Sequence, residues 1–185
     1  MIQYVDVVPT FVDAAGGDSI EGLDGSSFLG VLTGETTEHG TYAYGAHNNL
    51  PEGPAYPIRC IRMKQYSYIW NLTPDVPYIV KWIKWINENT FYGPYYFGSW
   101  ETAAEEDLKA AELLQRYEQR PEEELYDLVA DPWELNNLAD DPNLQDVKQE
   151  LRAELIRWME QQGDTGVELD VLPEGRAPPQ PPRRD

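Results

Sequence analysis

The segment from Asp141 to Gly163 constrains this chain more than any other. Asp141 followed by Pro142 reads as a helix start, because the aspartate can accept from the first unpaired N–H groups and proline at the first helical position has none to lose. Leu144, Val147, Leu151, Leu155, Trp158 and Met159 then recur every three or four residues until Gly163 closes the run. Such a stripe must bury one face on another layer. Candidate strands lie upstream at Thr41 to His47, Tyr56 to Met63, Gln65 to Asn71 and Leu125 to Leu128, and the Met63-Lys64 junction is short enough for a hairpin.

Weaker periodicities fill the rest. Tyr4 to Ala15 spaces Val5, Val8, Phe11, Val12 and Ala15 as a short amphipathic helix ended by Gly16-Gly17; a helix of this length is marginal alone and should pack on something larger. Ser26-Ser27 can cap a helical turn over Phe28 to Leu32. Ile79, Trp82, Ile83 and Ile86 share one helical face, while Phe91 to Gly98 is expected as an aromatic loop, either a buried connector or a sugar-stacking platform. Thr102 with Glu105 has the spacing of a capping box, which would open a helix through Leu108, Ala111, Leu114 and Tyr117 and set Glu105-Glu106 in its first turn. Glu122 to Glu124 reads as a solvated acidic run. The proline-rich stretch after Pro173 has no apolar pattern and is expected to be disordered.

Composition removes several functions. The 185 residues hold 33 Asp+Glu against 14 Lys+Arg, a formal charge of -19 that repels a phosphate backbone, so no nucleic-acid partner is expected. Apolar runs fall far short of the roughly 20 residues of a membrane span, and no membrane partner is expected. The amino terminus lacks the basic start of a signal peptide, which leaves the compartment open. One cysteine, Cys60, makes no internal bridge, and its strand position between Arg59 and Arg62 suits a buried thiol better than a nucleophile. With two histidines and no HExxH, GxGxxG, P-loop or GxSxG pattern, no catalytic or metal residue can be assigned. His47 and Arg59 remain. They flank a Pro/Gly-rich loop near neighbouring strand ends, where they could converge on an anion or simply have local partners.

The stretch Glu124-Leu125-Tyr126-Asp127-Leu128 followed by Asp131-Pro132-Trp133-Glu134 and Asn137-Leu138-Ala139, then a proline-started helix, resembles the carboxy-terminal signature of type I (formylglycine-dependent) sulfatases. Tyr4 to Thr10 and Asp24 to Leu29 resemble family segments that precede it. Tyr56-Pro57-Ile58-Arg59 and Tyr68-Ile69-Trp70-Asn71-Leu72 are most similar to the heparan N-sulfatase (sulfamidase) branch.

The resemblance implies an α+β fold, the C-terminal subdomain of an alkaline-phosphatase-like sulfatase, with a small antiparallel sheet packed against a long C-terminal helix. It divides the chain into residues 1–35, the tail of a catalytic domain; 36–165, the sulfatase C-terminal subdomain; and 166–185, a disordered tail. Family chemistry hydrolyses sulfate esters or sulfamates with formylglycine and calcium, both expected in a missing catalytic domain and neither in this chain, since Cys60 is followed by Ile61-Arg62-Met63 rather than C-x-P-S-R. His47 and Arg59 would then help hold a sulfated carbohydrate in the intact enzyme, this chain being inactive alone. The competing expectation is a free-standing, non-catalytic module that binds glycans or another protein. The helix at Tyr4 to Ala15 discriminates: docked on its own sheet in a module, loose with an apolar face exposed in a fragment.

Overall fold

A computed structural model describes residues 1–49, 55–80 and 95–169. A short 3-10 turn, Tyr4–Asp6, leads into α1 (Val7–Ala14), and α2 (Leu29–Leu32) follows. Next come β1 (Ala43–His47), β2 (Ile58–Arg62) and β3 (Tyr66–Asn71), then α3 (Tyr95–Glu106), α4 (Leu108–Glu118), β4 (Glu123–Asp127) and α5 (Gln145–Gln161). The strands form one antiparallel sheet in the order β1-β2-β3-β4, packed with the long helix α5. Hairpin closure at Met63-Lys64 is as expected, with Met63 N donating to the Tyr66 carbonyl.

The chain divides into two compact units. The first comprises Met1–Gly45, Cys60–Tyr68 and Leu125–Leu155; the second comprises Ala46–Arg59, Ile69–Glu124 and Ile156–Asp185. Ile61, Tyr68, Leu125, Tyr126, Leu151 and Leu155 are the buried large side chains of the first unit. Leu151 and Leu155 stand four apart on the stripe read from the sequence, and Met159, in the second unit, continues it. Asp141 caps as expected, accepting from Asn143 N at 2.8 Å ahead of Pro142, and Gly163 ends the helix at φ 66°.

The segment expected as a helix from Tyr4 to Ala15 turns an apolar side to solvent, with Tyr4 91% and Phe11 71% exposed, while Asp6 and Thr10 are buried and Val7 and Val12 half-buried. Asp6 accepts from Gln3 N, Ser26 N and, at 3.3 Å, His39 Nε2; Thr10 Oγ1 donates to the Asp6 carbonyl and accepts from Phe28 N. Gly25 permits this seam, since a Cβ there would stand 2.2 Å from the Val5 carbonyl oxygen.

Three local expectations are corrected in the second unit. Tyr95 to Gly98 belong to α3 rather than to a loop. The Thr102–Glu105 box caps nothing: Thr102 lies inside α3, its hydroxyl donating back to the Gly98 carbonyl, and Glu105-Glu106 close that helix instead of opening one. The break falls at Asp107, whose extended backbone lets its side chain accept from Lys109 N and Ala110 N to start α4. Glu124 is not solvated but 3% exposed. The stripe at Ile79 to Ile86 begins in irregular backbone and from residue 81 lies outside the described residues, as do 91–94 and 170–185, while Gly166–Leu169 form a 3-10 turn.

Candidate functional site

His47 closes β1 and is exposed. The chain beyond it is pinned: the Asn48 carbonyl accepts from Tyr56 N, and Asn49, buried at a left-handed φ of 62°, donates from Nδ2 to the Ile79 carbonyl. These bonds bring the segment that ends at Tyr78 alongside His47. The two rings meet edge-on with centroids 6.2 Å apart, and His47 Nε2 lies 3.5 Å from the Tyr78 hydroxyl.

Tyr78 is itself wedged. Its ring meets Tyr56 at 5.1 Å and Tyr117 at 5.6 Å, both T-shaped, and the Arg120 guanidinium lies 5.8 Å from its centroid. Arg120 in turn donates to Glu124 at 3.0 and 3.3 Å, and Asn71 Nδ2 donates to the same carboxylate at 2.7 Å. Burial pushes the Tyr78 hydroxyl up from its ordinary value, and that of Tyr117 up to about 12, so both stay protonated.

Arg59 faces the opposite way in chemistry. It is 3% exposed, and its Nε and Nη2 donate to Asp164 at 2.5 and 3.1 Å. Nη1 donates to the Ile58 carbonyl at 3.0 Å and reaches the His47 carbonyl at 3.5 Å. Hydrogen bonding from Arg59 holds the Asp164 carboxyl below the usual carboxylate range, over the opposing effect of burial, with Gly166 N adding a donor. Thus the structure does bring Arg59 to His47, at the backbone of His47 rather than at its ring.

Sequence reasoning missed Tyr78, Arg120, Glu124 and Asp164. Only Asp164 carried a signal, an acid directly after the helix-ending Gly163. Asn71-Leu72-Thr73 has the spacing of a glycosylation sequon, but Asn71 is fully buried and its Nδ2, the atom a glycan would occupy, donates to the Pro121 carbonyl and to Glu124. Cys60 is half-buried, and burial raises its thiol. Among the described residues no three His, Cys, Asp or Glu side chains gather as metal ligands, and no helix is long and apolar enough to cross a membrane. A groove of about 350 Å³ between α3 and α4, lined by Trp100, Leu113, Leu114 and Tyr117, offers no charge to an anion.

An ulvan-active sulfatase of Formosa agariphila is 36% identical to this chain over 168 residues, a match covering 89% of the chain and 30% of that protein. Sequence homology supports a member of the sulfatase, alkaline-phosphatase-like family. Human N-sulphoglucosamine sulphohydrolase is 25% identical over 176 residues, 90% of this chain and 34% of the human protein. Among solved structures, a 2-O GAG sulfatase superposes with a TM-score of 0.52 at 22% identity, over 86% of this chain and 25% of its own. No protein-family profile matches. The chain therefore spans about a third of the length of the curated relatives it matches. Its sheet and long helix match the alkaline-phosphatase-like sulfatase fold.

Proposed function

We propose that the chain is the carboxy-terminal subdomain of a sulfatase that hydrolyses sulfate esters or sulfamates on a sulfated glycan, akin to the sulfamidase branch. The observation that carries this reading is the 36% identity to an ulvan-active sulfatase along 89% of the chain. Neither formylglycine nor calcium fits the residues described: Cys60 is shielded in a strand and no ligand cluster forms. Both groups belong, on this reading, to a catalytic domain outside this sequence. Its docking surface is the exposed apolar side of α1, where Tyr4, Val8 and Phe11 need cover.

His47 is the group that meets the sulfated sugar, donating a hydrogen bond to a sulfate or hydroxyl oxygen. Arg59 serves the same end from beneath, tying the His47 carbonyl into the Asp164 clamp. In the enzyme that includes the catalytic domain, His47→Ala should raise KM about tenfold with kcat little changed, the scale of one hydrogen bond to a charged group. Unchanged kinetics would remove His47 from the site.

One observation favours the free-standing module: α1 is fastened to its own unit by the Asp6 and Thr10 bonds rather than hanging loose. Calorimetry of the chain alone against a heparin-derived oligosaccharide decides it. Tight binding without a catalytic domain supports the module, and its absence supports the subdomain.

A further inference from the structure

Beyond exposing His47, the structure constrains which of its nitrogens can act. We propose that Tyr78 is a positioning residue that sets the tautomer of His47, so that Nε2 accepts from the Tyr78 hydroxyl and Nδ1–H is the donor offered to a sulfated sugar. This deepens the substrate-binding reading above and rests on it for the identity of the sugar, but not for the tautomer itself.

Tyr78 presents its phenol to the His47 ring. Its proton needs an acceptor, and among the described residues the acceptor within reach of the Tyr78 hydroxyl is His47 Nε2, at 3.5 Å. The reverse arrangement, with Nε2–H donating to Tyr78, would leave the phenol proton to solvent at this exposed contact. Burial raises the Tyr78 hydroxyl above its ordinary value and so favours the protonated phenol. Tyr56, Tyr117 and the Arg120 guanidinium all pack against the Tyr78 ring and oppose its moving to another partner. Arg120 is fixed by the buried Glu124 carboxylate, which is fixed by Asn71. A neutral imidazole has one donor and one acceptor nitrogen, and the partner of one decides the role of the other. Isolated imidazole side chains prefer the proton on Nε2, so the arrangement here works against the intrinsic preference, as a positioning device must.

With two histidines in the chain, nitrogen-15 NMR resolves the question directly. At alkaline pH, where imidazole is neutral, the wild-type chain should show His47 protonated mainly on Nδ1. Tyr78→Phe keeps the ring and its aromatic contacts but removes the hydroxyl, and should return the His47 proton to Nε2. His39, which meets Asp6 in the other unit, should be unmoved and serves as the internal reference. An Nε2–H tautomer in the wild type, or identical His47 shifts in both proteins, overturns the proposal. In the intact enzyme, Tyr78→Phe should raise KM by roughly 2- to 10-fold, the scale of one neutral hydrogen bond. If His47→Ala leaves kinetics unchanged while the tautomer shifts as stated, the substrate reading fails and the tautomer assignment survives; the opposite pattern separates them the other way.

Discussion

Two helices of this chain carry an apolar stripe at the same period, and they use it in opposite senses. α5 buries Leu151, Leu155 and Met159, while none of its charged side chains is fully buried. α1 with the 3-10 turn before it buries Asp6 and Thr10 and leaves Tyr4, Val8 and Phe11 exposed. The difference lies in what each helix meets. Along α5 the covered positions are apolar, so the stripe lies inward and the hydrophobic effect holds it. Along α1 the neighbours are backbone N–H groups of Gln3, Ser26 and Phe28 together with His39, which only acceptors can satisfy. A periodic pattern therefore tells that a helix has two faces; the neighbours decide which one is covered.

The largest expected effect tests the α5 side. Leu155→Ala should cost about 2–5 kcal/mol in urea unfolding, because a fully buried side chain leaves a cavity. A loss below the lower end of that range would mean α5 is held by something other than its stripe. On the α1 side, Asp6→Ala should cost about 1–3 kcal/mol by stranding buried donors, and hydrogen exchange should show α1 opening ahead of the rest.

Acid sharpens the same contrast. For Asp6, burial is the largest influence and raises its pKa, yet the donors Gln3, Ser26 and His39 together bring it below 3.8. A carboxyl depressed in the fold gives stability that is complete above 3.8 and is lost as pH falls through the lower folded value. Acid unfolding of the wild type should include that step, and Asp6→Asn should flatten it, leaving the part contributed by Asp164. The smallest effect is expected from Phe11→Ser. Stability should stay within about 0.5 kcal/mol, since the side chain touches little, while self-association in sedimentation should decrease. A large destabilisation would show that the apolar face of α1 is part of the fold after all.

Much of the fold was legible. The strands that became β1 to β4, the Met63-Lys64 hairpin, the Asp141-Pro142 start and the Gly163 stop all depend on near neighbours in sequence, and near neighbours are what periodicity and capping rules read. The Thr102–Glu105 box failed for the same reason in reverse. Its residues have the right spacing, but the helix had already begun at Tyr95, and Asp107 took the capping role through an extended backbone.

At the candidate site, His47 and Arg59 could be selected as residues near strand ends able to converge on an anion, whereas their partners could not. Asp164 reaches Arg59 across 105 positions, Tyr78 reaches His47 across 31, and Glu124 reaches Asn71 across 53. The acidic run Glu122 to Glu124 looked solvated because three adjacent acids normally repel into water. Arg120, one helical turn earlier in number, and the Asn71 amide supplied the counter-charge and donor that let Glu124 be buried.

By itself, then, the sequence determined the local alphabet of this protein: its strands, its long helix with the stops at either end, and a motif that resembles one of the sulfatases. Those features follow from backbone sterics and side-chain period, which act over a few residues. Only the tertiary structure decided which face of α1 is covered, that Arg59 is clamped to Asp164, and that Tyr78 stands beside His47. Those outcomes depend on which distant polar groups must be satisfied together, and no local rule encodes that.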